Sequence, residues 1–139
     1  MTTKNIKLIV FIALLVHGIG HMQGVVSSLG VKFNKSTTNV SWMLKGLGEG
    51  TNRAICLVLY FGAAIAGIIA ALSFFNILIS NSNWQMFAVV SAVFSIIALF
   101  LFPKALAMFF NKAGAVIVNA AIFYTIVFQG QLASVIFED

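Results

Sequence analysis

Charge is scarce in this sequence: 8% of its residues are Asp, Glu, Lys or Arg, against about 25% in soluble domains. Together with 61% hydrophobic residues and a mean hydropathy of +1.07, that scarcity excludes an ordinary soluble domain and marks an integral membrane protein. Cysteine is reduced to Cys56, so an intrachain disulfide framework is excluded. The apolar runs lack alternating polarity, which excludes the strands of a single-chain barrel. No segment repeats another in length and motif spacing, so an internally duplicated architecture is not expected. The single proline, Pro103, is expected to start the turn into a last helix.

What the chain does have is long apolar stretches. Residues 6–27, 51–79, 84–102 and 105–137 are each long enough to cross a hydrocarbon core of roughly 30 Å, which takes about 20 helical residues. The expected fold is all-α, a single domain over residues 1–139 forming an antiparallel bundle of four transmembrane helices. Lys4 and Lys7 precede the first run as in a signal peptide. No small-x-small cleavage site follows before His17, so the first helix is expected to be retained.

The loop 28–50 turns amphipathic at Val40–Lys45. There Trp42 is expected to anchor at headgroup level with its polar edge wet, and Ser41 to cap a short helix. Gly46, Gly48 and Gly50 then loosen the backbone ahead of the second helix. Basic residues sit unevenly: Lys32, Lys35, Lys45, Arg53, Lys104 and Lys112 on one side, Lys4 and Lys7 on the other. The positive-inside bias then puts the first loop in the cytoplasm and both termini outside, in a bacterial inner membrane. The net charge of +5 is accounted for by topology and by attraction to anionic lipid, so the expected partner is the bilayer and not nucleic acid.

Helical spacing shows which faces turn inward. His17, Gly20, His21 and Gly24 share one face, and the Gly20-x-x-x-Gly24 pair is expected to let a neighbouring helix come close. In the second helix Glu49, Arg53, Tyr60, Ala64, Gly67 and Ala71 form an arc. In the third, Trp84, Ala88, Ser91, Ser95, Ala98 and Phe102 align; in the fourth, Lys112, Ala115, Asn119, Ile126, Gly130 and Ala133 do so. By depth, His17, His21, Glu49, Arg53 and Asn119 are expected to converge in the cytoplasmic half, with Cys56, Tyr60 and Ser95 as deeper members.

Ionisable side chains inside a membrane segment point by default to a functional site. The leading expectation is a pocket for a small amphipathic or lipid-like molecule. His17 and His21 line it, Arg53 neutralises an anionic head, Glu49 orients a histidine or Arg53, and Asn119 donates a hydrogen bond. Three other readings stand beside it. The first is a membrane enzyme using histidine as acid or base. The second is a metal or haem carrier in which His17 and His21 chelate, Glu49 completes three ligands, or a symmetric dimer supplies the two axial ligands of a haem. The third is a structural subunit of a larger complex, in which the five residues merely hydrogen-bond one another between helices, at about 0.6 to 2 kcal/mol per bond. Blander expectations attach to single residues: Glu49 and Arg53 as an interfacial ion pair, Ser91 and Ser95 bonding back to their own helix, and Cys56 as a small buried hydrophobe. A homodimer or larger homo-oligomer is the expected assembly.

The succession His17-Gly-x-Gly-His21, Ser41-Trp42, Glu49 and Arg53 entering the second helix, Trp84 opening the third, and Gly114 with Asn119 in the fourth resembles a family of small bacterial four-helix integral membrane proteins, sometimes labelled as transporter permeases. The resemblance spans nearly the whole chain and implies a four-helix fold with a shared polar end. It implies no activity, and the chain has no ATPase motif.

Overall fold

In the computed structural model, which describes residues 3–77 and 80–128, helix α1 spans Thr3–Ser28, α2 Gly48–Phe74, α3 Trp84–Leu101 and α4 Phe109–Ile122. A π-helical turn over Phe123–Phe128 continues α4, and short 3-10 turns at Lys45–Leu47 and Asn81–Asn83 lead into α2 and α3. No strand occurs among the described residues. The four helices are all long and apolar enough to cross a membrane, and the protein is a multi-pass membrane protein with a four-helix bundle fold.

Consecutive helices run antiparallel and pack as neighbours, and α4 closes the ring by packing on both α3 and α1. Small residues set the tightest contacts, because lipid tails offer no hydrophobic gain and close backbone approach must hold the helices together. A Cβ on Gly18 would lie 2.8 Å from the Ile68 amide nitrogen and 2.9 Å from the Ala64 carbonyl oxygen. Gly67 is as tight, against the Gly18 Cα and the Ser91 hydroxyl. Alanines 63, 64, 70 and 71 of α2 and 88, 92 and 98 of α3 are fully buried beside these glycines. Larger side chains fill the two ends. Leu14, Phe74, Trp84 and Ile122 pack together at the end remote from the first loop, with Trp84 edge-to-face on Phe74 at 5.0 Å. Val25, Cys56, Tyr60, Phe102 and Leu106 form the cluster at the first-loop end.

The expected bounds need two corrections. α2 stops at Phe74, short of residue 79, and Asn76 adopts φ +56°, a left-handed conformation that asparagine tolerates and that ends a helix. α4 begins at Phe109 rather than 105, because residues 102–108 form a connection folded into the bundle, with Phe102, Ala105 and Leu106 fully buried. The part of the expected fourth helix beyond 128, including Gly130 and Ala133, lies outside the described residues.

The connection and the first loop are joined to each other. The Thr38 amide donates to the Lys104 carbonyl at 3.3 Å, and Asn34 Nδ2 donates to the Ala107 carbonyl at 3.4 Å. Trp42 is exposed, and its polar edge bonds to the protein. Its indole Nε1–H donates to the Phe100 carbonyl at 2.7 Å, and its ring stands edge-to-face on Phe100. The last carbonyls of a helix lack intrahelical donors, so one near the end of α3 is a ready acceptor. Ser41 likewise caps a turn and not a helix: its hydroxyl accepts from the Met43 and Leu44 amides, and α2 starts without a side-chain cap. Trp42→Phe, which keeps the ring contact and removes the donor, is expected to lower stability by about 1 kcal/mol. Thermal melting in neutral detergent checks this.

Candidate functional site

The two histidines sit at the first-loop half of α1 and are buried, with 5% of His17 and 1% of His21 exposed. Their rings meet edge-to-face at 4.7 Å, and His21 lies 5.9 Å from the ring of Tyr60 on α2. None of their four ring nitrogens makes a hydrogen bond. A buried polar atom left without a partner costs about 1 to 3 kcal/mol. Neutral imidazole carries one donor and one acceptor, so both rings retain a complete hydrogen-bonding capacity.

The same face borders a groove of about 370 Å³ between α1 and α4. Ile12, Val16, His17, Gly20 and His21 line it from α1, and Phe110, Asn111, Gly114, Ala115 and Val118 from α4. The groove exists because α4 is held off from α1 here. A Cβ on Gly20 or Gly114 would meet nothing within 4 Å. Gly20 therefore does not serve the close helix approach expected of a Gly20–Gly24 pair. Gly24 does, since a Cβ there would fall onto the ring of Tyr60, while Gly18 takes the place expected of Gly20 against α2. Asn111 closes the first-loop end of the groove, its Nδ2 donating to Gln23 Oε1 at 2.9 Å.

The five expected site residues do not converge. Glu49 and Arg53 form an ion pair of 2.6 Å on the surface, with their side chains 64% and 48% exposed. Arg53 lies about 10 Å nearer the first-loop end than Tyr60, given about 1.5 Å of rise per residue, and it is Tyr60 that stands level with Gly24 and His21. Asn119 is buried at the α3–α4 contact, where its Nδ2 donates to Ser95 Oγ at 2.8 Å while its Oδ1 has no partner. Neither imidazole bonds to Asn119, to Glu49 or to Arg53.

Of the deeper members, Tyr60 donates its hydroxyl to the Phe102 carbonyl at 2.9 Å, and Cys56 is buried in the apolar cluster beside it. Ser95 and Ser91 do not bond back to their own helix: Ser95 accepts from Asn119, and Ser91 Oγ donates across to the Ala63 carbonyl of α2 at 2.7 Å. A third metal ligand from Glu49 is not in place, and no three of His, Cys, Asp and Glu gather among the described residues.

Asn52, Gln23 and Asn111 also make polar contacts, although none belongs to the expected site. Asn52 is fully buried, accepting from the Ser41 amide and donating to the Leu44 and Gly48 carbonyls. A polar side chain inside an apolar segment is the sequence signal that marks all three. Compared with protein-family models, curated proteins and solved structures, the chain matches none of them.

Proposed function

We propose that the α1–α4 groove binds a small amphipathic or lipid-like molecule drawn from the bilayer, with His17 and His21 as its polar contacts. The observation that carries this reading is the coincidence of two buried, unpartnered imidazoles with the lining of an apolar groove of about 370 Å³. Isolated buried polar groups are otherwise paired in stable proteins, and sites for small ligands are mostly apolar with a few convergent polar groups. In this reading Asn111 bounds the site, while Glu49, Arg53 and Asn119 stand outside it. The first-loop end faces the cytoplasm of a bacterial inner membrane, as the distribution of Lys and Arg favours, and the protein assembles as a homo-oligomer.

Filling the groove without touching the histidines tests the proposal. Gly20→Leu places a side chain in open space and replaces a poor helix former by a good one, so the fold is expected to persist. Mass spectrometry of protein released from native membranes in mild detergent should show a bound small molecule in the wild type. The molecule should be lost in Gly20→Leu and reduced in His17→Phe with His21→Phe. Equal retention in all three proteins overturns the proposal.

A further inference from the structure

A second site lies at the first-loop end, apart from the histidine groove and independent of it. There a depression of about 520 Å³ is lined by Lys32, Lys35, Arg53, Lys104, Ser27 and Glu49. Four cations thus surround one hollow that holds a single carboxylate. Like charges drawn together repel unless an anion sits among them.

The hollow is built by specific bonds rather than by chance crowding. Asn34 Oδ1 accepts from the Ser36 amide and the Thr37 hydroxyl, which shapes the loop carrying Lys32 and Lys35. The bond from the Thr38 amide to the Lys104 carbonyl brings Lys104 alongside. Glu49 holds Arg53 through one Nη2 contact of 2.6 Å, leaving further guanidinium N–H donors for a ligand. Ser27 adds an independent sign. It is 3% exposed, it lines the hollow, and its Oγ has no hydrogen-bond partner.

We infer that this depression binds a phosphate group. A phosphate presents several charged oxygens at once. It can take two parallel N–H bonds from Arg53, point charges from the lysines and the hydroxyl proton of Ser27. The site lies at the end of the membrane spans, where headgroups are found, so the phosphate comes from an anionic lipid or from free phosphate in solution.

The test has two arms on the full chain. In the first, protein is placed in bilayer discs of phosphatidylcholine mixed with phosphatidylglycerol, moved to neutral detergent and examined by native mass spectrometry. Wild type should retain phosphatidylglycerol in preference. Arg53→Gln with Lys104→Gln should reduce that preference at least tenfold, since a single lost charge-assisted bond is worth about that factor, and Ser27→Ala should reduce it several-fold. Lys4→Gln with Lys7→Gln removes the same charge at the other end and should leave it unchanged.

In the second arm, inorganic phosphate is added to lipid-free protein at fixed ionic strength and melting is followed. A rise in Tm for wild type but not for the Arg53/Lys104 double variant identifies free phosphate as a ligand; retention in the first arm alone identifies the lipid headgroup. Should the double variant not fold, Lys32→Gln with Lys35→Gln, both on exposed side chains, reads the same loss. The inference is overturned if neither arm responds, or if the Lys4/Lys7 variant loses as much as the site variants.

Discussion

Gly18→Ala is expected to destabilise the protein by about 2 to 3 kcal/mol, as overpacking of a close-packed interior does, while Gly20→Ala, one half-turn away, is expected to leave it unchanged or up to about 1 kcal/mol more stable. The two glycines look alike in the sequence. Their surroundings differ: a methyl group on Gly18 meets backbone atoms of α2, the Ile68 nitrogen at 2.8 Å and the Ala64 oxygen at 2.9 Å. Backbone cannot rotate away as a side chain can, so α1 and α2 must separate. That separation also loosens the adjoining contact of Gly67 with Gly18 and Ser91. On Gly20 the same methyl meets only the groove, and the helix gains by losing a flexible residue. Reversible unfolding of both variants by denaturing detergent measures the difference. Equal stability of the two variants would show that α1 and α2 do not cross at Gly18.

Asn52→Ala should be the most damaging change at the first-loop end, at about 2 to 4 kcal/mol, whereas Arg53→Ala in neutral, phosphate-free detergent should fall within about 0.5 kcal/mol of wild type. Asn52 is fully buried and links three backbone groups: the Ser41 amide at 2.9 Å, the Leu44 carbonyl at 2.9 Å and the Gly48 carbonyl at 2.7 Å. Truncation leaves these groups short of a partner in a place water reaches poorly, and each unsatisfied group costs about 1 to 3 kcal/mol. Its charged neighbour pairs with Glu49 at the surface, where ion pairs contribute about 0 to 1 kcal/mol. Besides melting, limited proteolysis separates the two variants. The first loop of Asn52→Ala should be cut between residues 28 and 44 far faster than that of wild type, because its tether to α2 is gone. Comparable cutting in Arg53→Ala would contradict this assignment.

Much of the architecture could be read without coordinates because it depends on local pattern. Hydropathy alone implied four membrane-crossing helices. Helical spacing marked the inward faces of Tyr60–Ala64–Gly67–Ala71 and Trp84–Ala88–Ser91–Ser95–Ala98, and these residues are buried. The i, i+4 pairing of Glu49 with Arg53 was legible for the same reason. Charge is a poor guide to the interior of this bundle: a long Arg at a helix end reaches outward to water. The inward polar contacts belong instead to short amides and hydroxyls, Asn52, Asn119, Ser91 and Ser95.

Composition and period thus determined that this is a membrane protein of four helices, and that His17 and His21 turn inward on one face of the first. They could not determine what stands opposite that face. Which glycine meets a backbone and which opens a groove, and why Asn119 bonds Ser95 while the imidazoles bond nothing, depend on the rotation and offset of each helix against its neighbours. Those quantities arise from side chains far apart in the chain meeting all at once, and only the tertiary structure decides them.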